Sequence, residues 1–501
     1  MRRGVLLAAV GLLIVLIAIV LPGRVERPSV ADPLELPTAV ASPDAPTSTW
    51  FCAAGGATVP GSVSHTVSLS NAGGDPVHAR LASPRDEGDP LVAEVDVPPR
   101  SVVPVDASRF GGNQPGSVTV TADGPLVASH RLVAEGVAEE AICSSRGGSQ
   151  WYFPAAYSQN GGKATAGSAL LWVYNPFPAD ASIDVTIVTE AGVRQPGDLT
   201  GFVVGAGRSR AIELADVAQR RDQFAVVVET RAGRVVADLV QATDGTSNAP
   251  RGLRIQPGVS EPATRWMFPD SEGVAGVGER LVVYNPSGET VAALVAVQPD
   301  GADPESFPDP FVLDVPGRRY IVLDLSAETR LPPTGMRTIV VETDAPTGLI
   351  AERLIGVTGG GGWPLSGGAA ASTGLRIEAT RWTIPRIDRA AEGRSILRIV
   401  NPSASRAAVV SVTAMGNGNR AAPEGIGRVE VPAGETVTVD VGGAASPDVP
   451  TLLRLESSIP VVVERRAFSS TDTDLWVVPG VADRSTVRPV QPLPNVVEPG
   501  G

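Results

Sequence analysis

The chain is poor in the residues that do most enzyme chemistry. Its 501 residues include three histidines and two cysteines, and Lys163 is its single lysine. His65, His78 and His130 all fall in the first third, which leaves the rest of the chain without an imidazole to act as general base. None of them stands at ligand spacing from another or from a cysteine, so no metal site is read. No Gly-x-Ser-x-Gly elbow, phosphate-binding loop or His-Glu-x-x-His pattern occurs. The acidic stretches at 300–305 and 472–474 lack the spacing of a calcium loop and read as solvated turns. Catalytic residues, metal and cofactor are therefore all expected to be none.

Aromatic residues are also scarce, at 4% against 43% hydrophobic residues overall, so valine, leucine, isoleucine and alanine must fill the cores. Forty-one basic residues against 54 acidic ones give a net charge of -13, which excludes nucleic acid as a natural partner.

What is present is a repeat. Tryptophans at 50, 151, 266 and 382 each open a block about 100 to 116 residues long. Trp151-Tyr152-Phe153-Pro154 leads through an apolar run to Asn175-Pro176. Trp266-Met267-Phe268-Pro269 leads likewise to Asn285-Pro286, and Trp382-Thr383-Ile384-Pro385 to Asn401-Pro402. Proline has no ladder donor and holds the residue before it extended, so each Asn-Pro ends a strand. The first copy departs, with Asn71-Ala72 and with Cys52 inside its opening motif, as an end repeat does. Recurrence at equivalent places makes Trp50, Trp151, Trp266 and Trp382 core residues rather than sugar platforms.

Each block reads as seven short strands with turn signals every 8 to 12 residues. The fold class is all-β: four tandem immunoglobulin-like antiparallel β-sandwich modules after an N-terminal transmembrane helix. The modules span 49–148, 149–260, 261–372 and 373–483, with a Pro-rich linker at 23–48 and a disordered tail at 484–501. A glycine-rich stretch at 357–372 is the expected hinge, and Trp363 within it is a candidate contact residue. An extended row and a closed arrangement of the modules both remain open.

Arg2 and Arg3 precede an uncharged apolar stretch at 4–21. Eighteen helical residues span about 27 Å, close to the hydrocarbon thickness of a bilayer. No small-x-small cleavage site follows, so residues 1–22 read as an uncleaved signal-anchor, with the N-terminus cytoplasmic and the bulk of the chain beyond the plasma membrane. Outside the cytoplasm, Cys52 and Cys143, which bracket the first module, are expected to form a disulfide.

The motif set, with Ala351-Glu352-Arg353 and Val463-Glu464-Arg465 in the closing hairpins and Trp50-Phe51-Cys52 at the start, resembles an actinobacterial family of membrane-anchored secreted proteins catalogued as a domain of unknown function. The resemblance covers roughly residues 1–483. It implies export and a β-rich fold and carries no catalytic residues. The expected role is that of a non-enzymatic envelope scaffold or interaction protein with an envelope protein or glycan partner. The alternative is an envelope enzyme or accessory factor in polysaccharide assembly, with its site at a module junction.

Overall fold

Aliphatic runs cut every few residues by Pro, Gly or Asn can form strands but not helices of more than a turn. A computed structural model describes residues 40–41, 45–57, 62–85, 87–110, 116–158, 167–245, 249–359, 365–389, 392–469 and 474–493. Among them the regular elements are strands and single turns of 3-10 helix. The chain divides into two units, residues 1–35 and 36–501. The expected anchor helix falls in the first, outside the described residues, and no described helix is long and apolar enough to cross a membrane.

The third repeat shows the layout. Its strands are Arg265–Gly273, Val277–Asn285, Val291–Pro299, Phe311–Val315, Arg319–Asp324, Gly335–Glu342, Ile350–Val357 and Gly368–Thr373. They form two antiparallel sheets, in the orders first-sixth-third-fourth and fifth-second-seventh-eighth. The first repeat uses the same two orders, and so do the second and fourth once a short extra strand paired with the third, Gly192–Arg194 and Asn419–Ala421, is set aside, the fourth running its sixth and seventh strands together as Thr451–Ser469. The first strand pairs with the sixth and the second with the seventh, which makes each repeat an antiparallel two-sheet unit of the all-β class expected.

The eighth strand was not legible as one. Gly368–Thr373 lies in the stretch expected to be a hinge, yet Ala369, Ala370 and Ala371 within it are buried. Its counterparts are Val137–Ile142, Gly252–Pro257 and Leu475–Pro479. Each eighth strand packs against that of the next repeat, and the last packs against the first. The repeats therefore close into a ring around an axis built from these four strands. Crowding there explains the small residues: a Cβ on Gly252 would lie 2.6 Å from the Cβ of Ala369. Apolar clusters run across the junctions, with Ala467 and Trp476 of the fourth repeat joining the core of the first.

Part of the tail is among the described residues. Arg488–Pro489 pairs with the first strand of the fourth repeat, and Val490 and Leu493 are buried in its core. Val490 and Leu493 supply the apolar burial that a count of prolines overlooks.

Cys52 and Cys143 are disulfide-bonded, with Cα atoms 4.5 Å apart. The repeat explains the pairing. Phe51 bridges to Ser144 as Tyr152 does to Val259 and Met267 to Leu375, so Cys143 stands where Gly258 and Gly374 stand. A Cβ on Gly258 would meet the Phe153 ring at 2.8 Å, and one on Gly374 the Phe268 ring at 2.9 Å. A slot filled by phenylalanine over glycine in two repeats is filled by a disulfide in the first. Replacing both cysteines by serine should cost roughly 3–5 kcal/mol of unfolding free energy. Cys52→Phe with Cys143→Gly should recover about 1.5–3 kcal/mol of that through ring burial. Chemical denaturation of the two variants measures both, and no difference between them would refute the shared slot.

Candidate functional site

The repeated side chains act first on the backbone. Trp50, Trp151, Trp266 and Trp382 are all buried, and each indole Nε1 donates to a carbonyl at the start of the seventh strand: Leu126, Val235, Leu349 and Val461, at 2.8 to 3.1 Å. Each of Asn71, Asn175, Asn285 and Asn401 is fully buried and donates from Nδ2 to the carbonyl that ends the fourth strand, Val97, Val204, Val315 and Val431. Its Oδ1 accepts the amide two residues on. Asn71 makes these bonds without a following proline, so the asparagine is the structural part of the motif.

The junctions between repeats hold the concentrated chemistry. The third residue of the seventh strand is Asp238, Glu352 and Glu464 in the second, third and fourth repeats, and all three are buried. Each reaches the repeat before it, just beyond the opening tryptophan. Asp238 Oδ2 accepts the amides of Ala53 and Ala54 at 3.1 and 2.9 Å. Glu352 accepts from Ala155 and Gln256. Glu464 accepts the Asp270 amide at 3.1 Å and the Ser372 hydroxyl. The first repeat has Ser129 at this place, and there Ser70 donates to the Pro385 carbonyl at 2.5 Å.

The surroundings differ from junction to junction. Asp238 faces His130, whose Nε2 is 4.0 Å away, and His65 lies 3.4 Å beyond on the other ring nitrogen. Glu352 sits among Gln241, Gln256 and Arg254. Glu464 belongs to a dry ionic cluster in which Arg353 bonds Glu279 at 2.8 Å and Arg466 lies 3.3 Å from Asp270. At the closing junction Arg465 bonds Glu392 at 2.9 Å and reaches Glu140 at 3.4 Å, while Arg131 lies over the Trp476 ring. The sequence reading assigned these acids no role. An acid recurring inside an otherwise apolar strand was the available signal.

A cavity of about 110 Å³ opens on the axis at the C-terminal ends of the eighth strands, lined by Glu140, Ile255, Trp266, Ser372, Ile377 and Val478 among others. Glu140 accepts from the Ser129 hydroxyl at 3.1 Å as well as from Arg465, and Ser372 is bonded to Glu464. Glu140 and Ser372 are thus engaged in holding repeats together, while the buried Ser260 hydroxyl, also in the lining, has no hydrogen-bond partner among the described residues. Arg376 at the same cavity pairs with Glu261, which also pairs with Arg146. Trp363 lies outside the described residues. No group of three or more metal-ligating side chains occurs among the described residues.

A profile for a family of unknown function, DUF5719, matches residues 141–347, which is under half of the chain. A solved structure titled "Crystal Structure of Thermotoga maritima 1070" is similar over 23% of this chain and 94% of that chain, at 17% identity and a TM-score of 0.19, too slight a likeness to bear on fold or function. No curated protein matches the sequence.

Burial pushes the carboxyls of Asp238 and Glu352 up to about 7, and raises that of Glu464 for the same reason. An unfolded Asp or Glu titrates near 4. The folded state therefore holds extra protons between these values, and the stability they carry is complete below about pH 4 and lost as pH rises through 7. Desolvation lowers His65 to about 4 and His130 to about 3, so their effect has the opposite sign and is confined below pH 6.5. Between pH 6.5 and 8 the carboxyls dominate, and stability should fall as pH rises. Glu352→Gln keeps an acceptor without the charge and should flatten that slope, by roughly 0.5–1 kcal/mol between pH 6.5 and 8. Thermal unfolding at pH 6.5 and 8 compares the two proteins, and an unchanged slope would show that Glu352 does not titrate there.

Proposed function

We propose that this chain is a non-enzymatic scaffold or interaction protein of the cell envelope, anchored by one helix at residues 4–21, N-terminus inside, with its β repeats displayed outside to an envelope protein or glycan. The wider resemblance to membrane-anchored secreted actinobacterial proteins belongs to this proposal. One observation carries it: the buried carboxylates Asp238, Glu352, Glu464 and Glu140 each accept from a backbone amide, side-chain amide, hydroxyl or arginine of a neighbouring repeat, so these polar groups are used for assembly. The disulfide supports a location outside the reducing cytoplasm. The competing reading, an envelope enzyme or accessory factor acting at a junction, needs converging acids free to meet a substrate. Asp238, Glu352 and Glu464 are engaged in this way, while Glu139, buried near Asp474, has an oxygen left unpartnered among the described residues.

The single lysine makes the location directly testable. A membrane-impermeant amine reagent applied to intact cells should label Lys163, and Lys163→Arg should abolish labelling apart from any exposed α-amine. Labelling of Lys163 only after lysis would refute the external location. Crosslinking in intact cells should then recover a reproducible envelope partner, whereas turnover of an envelope polysaccharide precursor by the purified chain would establish the enzyme reading instead.

A further inference from the structure

The turn between the fourth and fifth strands places one residue in the left-handed region in every repeat: Arg100 (φ 52), Gly207 (φ 64), Arg318 (φ 55) and Gly434 (φ 72). Two repeats show that glycine serves this turn without strain, so the arginines there are not required by the backbone. Arg100 projects over Gly74, its Nη2 3.7 Å from where a Cβ on that glycine would sit. It forms one wall of a hollow of about 470 Å³ between the first and fourth repeats, with Arg420 and Arg454 on the opposite side.

The hollow is built rather than incidental. Val102, Met415 and Leu452 pack with Ala72 beneath it, and the Gly418 amide donates to Ser101 Oγ at 3.1 Å, fixing the hairpin that carries Arg420 beside the turn that carries Arg100. The one carboxylate lining it, Glu456, accepts from Arg454 at 3.2 Å. Neither Arg100 nor Arg420 is in an ion pair among the described residues. Three guanidinium groups and one carboxylate line the hollow, in a protein whose net charge is -13.

We propose that this hollow binds a phosphate ester. Guanidinium groups present forked donors, shed water more readily than ammonium groups, and bond phosphate oxygens in pairs. A phosphate monoester carries nearly two negative charges at pH 7. Three arginines approaching from different elements suit a tetrahedral anion better than a planar carboxylate, and the volume leaves room for a sugar-sized substituent. The negative field of the rest of the molecule opposes a long polyanion, so a small ester is selected over nucleic acid.

Titration calorimetry on the full-length protein in detergent, with glucose 1-phosphate as probe and glucose as control, tests the site. The parent chain should bind glucose 1-phosphate and not glucose. Arg100→Gly, which places the residue the repeat already tolerates, should keep the thermal midpoint and weaken binding at least about ten-fold. Arg318→Gly, the same change at the equivalent turn of the third repeat, should leave binding unaltered. The site is refuted if glucose 1-phosphate gives no heat beyond the glucose control or binds Arg100→Gly as it binds the parent. Inorganic phosphate binding as tightly as the ester would overturn the assignment to an ester.

Discussion

The arrangement depends on one contact used three times, a carboxyl group from the middle of an apolar strand accepting backbone amides of the preceding repeat. The amides in question come just after the opening tryptophan motif, Ala54 beyond the end of its strand and Ala155 and Asp270 at a bulge within theirs, where the ladder is interrupted and an acceptor is needed. A buried amide without one would cost more than the bond contributes when made. Each repeat therefore completes the hydrogen bonding of the one before it. That couples folding of a unit to docking of its neighbour, which apolar contact alone would not do.

Buried charge is a poor source of net stability, because desolvation offsets most of the attraction. Its value here is discrimination. Four repeats with one strand order and similar apolar faces have many ways to pair wrongly. The partners that surround each junction acid differ: histidines beside Asp238, amide side chains beside Glu352, arginines beside Glu464, and an arginine–glutamate chain where Ser129 takes the acid's place. A wrong neighbour would leave one of these groups buried and unpaired, at a cost of several kcal/mol. The ring order is thereby written into polar side chains, while the shared apolar pattern sets the fold of each unit.

Much of the architecture was legible because a repeat exposes its own rules. The tryptophans and the paired cysteines could be assigned to folding from recurrence and position, and the strands between them from aliphatic runs and turn residues, whereas sequence alone credits the proline of each Asn-Pro with what the asparagine does. What escaped was set by tertiary crowding. Gly368–Thr373 has a composition that reads as loop, since alanine and glycine have weak strand propensity, yet its small residues fit the close approach of the neighbouring axis strand, where Ala369 meets Gly252. Ring closure was equally hidden, because Arg131 and Trp476 are 345 positions apart and neither belongs to the repeated motif. The pairing of the first strand with the sixth leaves no trace in strand spacing, which locates most of the strands, seven of the eight, and not which edges they share.

The same reasoning divides the chain's residues by origin. Where all four repeats agree, as at the tryptophans and the buried asparagines, the common cause is the fold, and a specific activity has no purchase on them. Where one repeat departs and the departure restores the same contact, as the disulfide does for phenylalanine over glycine, the cause is still the fold. Only a departure that gains nothing structurally points elsewhere, and an arginine held in a left-handed turn that glycine fills without strain is of that kind. Such a residue keeps a conformational cost that the architecture does not need, so the interaction that offsets it has to come from what its side chain can reach.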